Sequence, residues 1–185
     1  MRKEKPKVYL AGKITNDWWR NEIFGIYENY NHRTPGIDVY GYDSYEENEN
    51  YLNSEYDAGE FIVTGPHSIG CDHSCYHKTH HAATKSEHTC GVGEYGIEPN
   101  IIFNACLKQI NKSDVVFAYI TSQDVYGTIF ELGYAYRMYK PVYIAFKNDE
   151  LKKLFWFIAE SAIECEVIHR KGELKTFFDK IIKYI

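Results

Sequence analysis

The chain has 185 residues, 44% of them apolar and 25% charged, enough for one domain with a substantial core and too apolar for wholesale disorder. Its net charge of −5 argues against a general nucleic-acid binder, because phosphate contacts dominate such binding. No apolar run approaches the ~20 residues that span a bilayer, and residues 1–7 lead into a strand without a signal-peptide pattern, so a cytoplasmic location is expected.

In chain order, the first predicted strand is VYLAG, residues 8–12, followed by a helix over 17–30 with Asp17 as its N-cap. An acidic, tyrosine-dotted segment over 43–59 reads as a solvent-facing insertion. The second strand is EFIVTG, 60–65, and a long irregular segment, 66–98, follows it. A helix over 99–111 leads to the third strand, DVVFAYI, 114–120, and a helix over 127–139 comes next. The strand PVYIAF, 141–146, a helix over 148–161, the strand ECEVIH, 164–169, and a helix over 171–184 close the chain. These strands are short, β-branched and almost continuously apolar, as in a parallel sheet covered on both faces. Alternating strands and helices predict a single three-layer α/β domain, 1–185, with a five-stranded flavodoxin-like sheet in the order 2-1-3-4-5. Connections as long as 66–98 are uncommon in compact domains, and this one leaves the carboxyl edge of the sheet, where ligands bind in such folds, so it reads as a lid.

The stretch DVYGTIFELGYA, 124–135, is ambiguous. Thr128 and Glu131 fit a capping box, the plainer reading by pattern alone. Yet Glu131 also follows an apolar strand and a glycine, near the first turn of a helix whose dipole favours an ionised carboxylate. Gly127 is expected to allow a tight turn, and with Thr128 to offer free N–H groups to an anion.

VYLAG at the start, KSDVVFAYI in the middle and D-x-x-G-T-x-x-E-L-G-Y-A after it resemble nucleoside 2-deoxyribosyltransferases and their N-glycosidase relatives. The resemblance covers the first strand and about thirty residues from 111 to 140. It implies that Glu131 is the nucleophile on the anomeric carbon, that Tyr9 lies against it, and that Asp124 helps hold sugar or base. It implies a flavodoxin-like fold, no cofactor for the chemistry, and neighbouring subunits that help complete the site. Two departures stand out. The spacing from Asp124 to Gly127 is one residue longer than the commoner D-x-G-T, and Cys106 stands where several members carry a base-contacting Asp. The loop after the first strand is the family's pocket lining, so Gly12 and Trp18 are substrate-binding candidates. Of Trp18 and Trp19, one is expected in the core. Tyr126 and Tyr134 are expected to pack, and Asp114 to orient the entry of its strand.

Residues 66–98 contain three of the five cysteines and six of the eight histidines. Thiolate and imidazole are zinc's favoured ligands, and Cys71, Cys75, His88 and Cys90 are the candidate structural set, although their spacing matches no common zinc finger. Alternatively the segment is a polar lid from which Asp72 or His73 reaches the substrate, a histidine there being able to protonate a leaving base.

The function expected is cleavage or transfer of the N-glycosidic bond of a nucleoside or nucleotide through a glycosyl–Glu131 ester. The alternatives are a nucleotide or NAD N-glycosidase, and a non-catalytic nucleotide-sensing module. An electron-transfer flavodoxin is disfavoured because residues 12–16 lack a Ser/Thr-rich phosphate cradle.

Overall fold

The structure is a computed structural model that describes residues 4–13, 19–24, 55–66 and 99–185. Its elements are β1 (Lys7–Gly12), α1 (Trp19–Phe24), β2 (Tyr56–Asp57), β3 (Ile62–Gly65), α2 (Pro99–Lys112), β4 (Val115–Ile120) and α3 (Tyr126–Arg137), then β5 (Val142–Phe146), α4 (Asp149–Leu154), α5 (Trp156–Ala159), β6 (Glu164–Val167) and α6 (Glu173–Tyr184). The sheet runs β2-β3-β1-β4-β5-β6. From β3 to β6 every neighbouring pair is parallel, which makes the expected five-stranded flavodoxin-like order.

One strand was not expected. Tyr56–Asp57, inside the segment read as a solvent-facing insertion, pairs antiparallel with Ile62 and Val63 and caps the sheet edge. Ion pairs from Lys5 to Asp57 and from Lys7 to Glu55 place charge along that edge, which discourages pairing with another chain.

The strands bury both faces, and their side chains alternate between two cores. Val8, Leu10, Val115 and Phe117 face one layer with Trp19 and Ile23 of α1 and Leu174, Phe177, Phe178 and Ile181 of α6. Those four α6 positions follow the i, i+3, i+4, i+7 spacing of a one-sided helix. Phe117 meets Phe178 edge-on at 5.1 Å between ring centroids. Tyr9, Ala11, Val116, Ala118 and Ile120 face the other layer, against Ile110 of α2, Leu132 and Ala135 of α3 and Leu151 of α4.

The helix expected over 148–161 is two short helices. Asn148 caps the first through Oδ1, which accepts the Leu151 N–H at 2.9 Å, and the chain breaks at Phe155 before α5 begins. Asp114 orients its strand as expected, since its Oδ2 accepts the Lys7 N–H at 2.7 Å and ties the start of β4 to β1. At the other end of β1, Gly12 has φ +149°, and a Cβ there would lie 2.9 Å from both the Tyr119 carbonyl oxygen and the Trp19 ring. Only glycine fits where strand, indole and neighbouring strand meet.

Candidate active site

β1 and α3 together build the site. Alternation along β1 turns Tyr9 toward the α2/α3 layer, where it is fully buried. α3 packs over the same face of the sheet and brings Glu131 to it. The Tyr9 hydroxyl donates to Glu131 Oε1 at 2.5 Å, across 122 residues of sequence. The pair expected from the first strand and the E-L-G-Y-A run is therefore joined in space.

Why Glu131 is there differs from the sequence reading. α3 starts at Tyr126 with Val125 as N-cap and no side-chain cap, so Thr128 and Glu131 form no capping box. The first turn contains no acidic residue, and Glu131 lies in the second turn with its carboxyl given to Tyr9. Gly127 is helical and not a turn residue, with open space where a Cβ would stand. Thr128 is buried in the same helix. The N–H groups of this first turn have no intrahelical acceptor.

The electrostatics are set by burial. Desolvation raises the Glu131 pKa to about 7, opposed by the Tyr9 hydrogen bond and then by the charge of Arg20. The helix dipole expected to favour an ionised Glu131 is outweighed: in the second turn, desolvation is the larger effect. Burial also raises the Tyr9 phenol well above its ordinary range, with the Glu131 charge adding to it. The phenol remains a donor at any physiological pH.

Two further side chains meet this pair. Cys106 of α2, standing where relatives carry an acid, hydrogen-bonds with Tyr9, and its thiol is pushed up to about 12 by burial and by Glu131. It is a neutral thiol beside the carboxylate, not a second acid. Arg20 of α1 is 5% exposed, and its Nη2 donates to the Leu10 carbonyl at 2.6 Å and to that of Gly12 at 3.2 Å. Its guanidinium carbon lies 4.4 Å above the Trp19 ring, and its charge acts on both Tyr9 and Glu131. Sequence reading missed Arg20. The available signal was a charged residue between Trp19 and Ile23, which are spaced i, i+4 on the core-facing stripe.

Asp124 is not joined to the Tyr9–Glu131 pair. It is exposed and ion-paired with Lys13, so it links the loops that leave β1 and β4. The hydrogen bond from Lys13 is the main cause that holds its carboxyl down to about 2. Such an anion accepts hydrogen bonds from a ligand but has no proton to give at neutral pH. Trp19 is the core tryptophan of the expected pair, 6% exposed and edge-on to Tyr119. Tyr134 packs and hydrogen-bonds with Asn111, whereas Tyr126, expected to pack, is 83% exposed because it opens the helix on its outer side.

Trp18, Asp72, His73, Cys71, Cys75, His88 and Cys90 lie outside the described residues. Among the described residues no group of three or more His, Cys, Asp or Glu could hold a metal, and no helix is long and apolar enough to cross a membrane. A cavity of about 550 Å³ opens at the far edge of the sheet, where Val142 begins β5, and shares no lining residue with the Tyr9–Glu131 pair.

No curated protein matches the chain. The family model for nucleoside 2-deoxyribosyltransferase matches residues 76–167, which take in β4, α3 with Glu131, and β5. Tyr9 and Arg20 precede the matched residues and reach the site through the sheet. Residues 76–167 thus match an enzyme-type domain, that of nucleoside 2-deoxyribosyltransferase.

Proposed function

We propose that the protein breaks or exchanges the N-glycosidic bond of a nucleoside or nucleotide, most simply as a 2-deoxyribosyltransferase, through a covalent glycosyl–Glu131 ester. The observation that carries this reading is the partly buried Glu131 carboxyl, within the stretch that matches this family, accepting a hydrogen bond from the buried Tyr9 hydroxyl. An Oε of Glu131 attacks the anomeric carbon on the face opposite the base, and the C–N bond breaks as the C–O bond forms. The base leaves with the bonding pair and takes up a proton, for which His73 is the donor the sequence offers. A nitrogen of a second base then attacks the same anomeric carbon, the Glu131 carboxylate leaves with the C–O bonding pair, the incoming nitrogen gives up its proton, and the configuration is retained overall. Attack by water instead yields the free sugar, which is the N-glycosidase outcome.

The remaining roles follow the same chemistry. Tyr9 holds the attacking carboxylate in one rotamer and donates to it. Asp124 accepts from sugar or base at the mouth of the site. Gly12, Gly127 and Thr128 line the approach, with Trp18 and Asp72 as further contacts. The ester route uses no cofactor, and zinc on Cys71, Cys75, His88 and Cys90 would be structural. The proposed setting is the cytoplasm, with assembly into a homo-oligomer.

The test is base release from deoxyribo- and ribonucleosides, their monophosphates and NAD, with and without an acceptor base. Wild type is expected to release base, Glu131→Gln to lose at least ~10⁴-fold in rate, and mass spectrometry to find a sugar adduct on Glu131 with a slow substrate. Exchange only with an acceptor base marks a transferase, and release into water marks a hydrolase. No release from any substrate, with Glu131→Ala binding ligand as well as wild type, would favour a nucleotide-sensing module.

A further inference from the structure

We propose that the cavity between the end of α3 and the start of β6 binds a planar aromatic ring that carries an anionic group. The connections from α3 to β5 and from α5 to β6 meet there, at the amino ends of the parallel strands. Its volume of about 550 Å³ is that of a small-molecule site. It shares no lining residue with the Tyr9–Glu131 pair, so the proposal does not depend on Glu131 being a nucleophile. The charged side chains that line it are Arg137 and Lys140, with no acid among the lining residues, in a chain whose net charge is −5. Lys140 Nζ donates to the carbonyls of Asn111 and Ser113, neutral acceptors that leave its charge uncompensated. Among the described residues Arg137 takes part in no ion pair. An open guanidinium beside a second cation is a ready partner for phosphate or carboxylate.

Complementing the dipole of α3 explains a cation in its last turn, but not the rings around it. Tyr136 and Tyr139 line the cavity at 62% and 88% exposure, and neither meets another aromatic ring among the described residues. Ile163 is exposed on the α5–β6 connection, although its N–H is fixed to the Val142 carbonyl at 2.8 Å. Tyr139 is the most informative of these. The chain turns left-handed there, with φ +56°, and the Lys140 N–H reaches the Ala135 carbonyl at 3.0 Å. The turn therefore has a structural reason, but a tyrosine in it has none, since glycine is the usual residue at such a helix end. The tyrosine carries backbone strain and, so exposed, gains almost no packing in return. A stacked ligand ring supplies the missing contact, and the neighbouring cations hold its anionic group.

The experiment is methyl NMR of the full chain labelled with ¹³C-isoleucine, the Ile163 signal being assigned by its loss in Ile163→Val. Phenyl phosphate, benzoate and adenosine monophosphate are titrated in, with inorganic phosphate and phenol as the separate halves. Ring and anion in one molecule are expected to move the Ile163 signal at concentrations at least ~10-fold below either half. Arg137→Gln is expected to weaken binding about 10-fold. Tyr139→Gly is expected to weaken it by about 5- to 10-fold while making the fold more stable. A tyrosine kept for structure alone would leave the titration unchanged. Tighter binding of the nucleotide marks a nucleotide site and tighter binding of the simple acids an aromatic-acid site, and either supports the proposal. Inorganic phosphate acting as well as phenyl phosphate overturns it. So does an Ile163 signal that no probe moves, which leaves the patch to a macromolecular partner. If Arg137→Gln does not fold, Tyr139→Gly carries the test. Ile163 lines this cavity and not the Tyr9–Glu131 site, so the outcome stands whether or not the protein releases base.

Discussion

At Glu131 burial and hydrogen bonding act in opposite directions, and the pH behaviour follows from the balance. With its pKa raised to about 7, Glu131 gains as pH rises the carboxylate that the proposed attack needs, so kcat/KM is expected to climb between about pH 6 and 8. Tyr9→Phe removes a bond that lowers this pKa and should move the climb upward by about one unit. The same shift has a stability consequence of defined sign. The folded state holds the proton more tightly than the unfolded chain, whose Glu titrates near 4.5, so stability from this group is complete below pH 4.5 and is lost as pH rises through 7. Glu131→Gln should therefore be more stable than wild type at pH 8, by on the order of 2–3 kcal/mol, with the gap closing toward pH 4.5. Urea unfolding at both pH values checks it. Glu131 and Tyr9 were readable in sequence because each sits in a short, specific run. Arg20 was not, because nothing local tells an exposed helix arginine from one that turns back onto strand carbonyls.

α3 shows how one element can be found correctly and read wrongly. Its existence was clear from a strand, a glycine and a run of small and apolar residues, yet it begins before the supposed cap, and the cap pattern is coincidental. Its other end is fixed by tertiary contacts. Tyr139 leaves the helix with φ +56°, and Lys140 Nζ donates to the Asn111 carbonyl at 2.8 Å and the Ser113 carbonyl at 2.6 Å. Tyr139→Gly should stabilise the protein by about 0.5–1 kcal/mol, since a left-handed backbone costs a side-chain-bearing residue more than glycine. Lys140→Met should destabilise it by about 2 kcal/mol, the worth of charge-assisted bonds that tie the ends of α2 and α3 together. Chemical denaturation at pH 7 measures both. The break at Phe155 was hidden for a similar reason: the helical pattern continues through 148–161, and packing against the sheet decides where it stops.

Across the whole molecule, the parallel sheet carries both the stability and the site. Phe117 sits on a central strand and is packed by Phe177 and Phe178 of the final helix, so the last element in sequence closes over the third parallel strand. Phe117→Ala is expected to cost about 3–5 kcal/mol in equilibrium unfolding, because rigid neighbours on both sides cannot collapse into the space. The order of strands and their direction were legible in sequence, since continuous apolar runs alternating with helices leave few topologies and the crossover rule selects among them. The two-residue strand at Tyr56–Asp57 was not, because so short a pairing has no period to detect.

By itself the sequence determined the α/β class, the strand order and the two runs that hold Tyr9 and Glu131, because hydrophobic periodicity and motif spacing are local properties of a chain. Tertiary structure alone decided that Glu131 gives its carboxyl to Tyr9 instead of capping its own helix, and that Arg20 turns back onto the Leu10 and Gly12 carbonyls at the end of β1. The reason is physical: the Tyr9–Glu131 hydrogen bond spans 122 residues of sequence, and it forms only once β1 and α3 have been brought together on one face of the sheet.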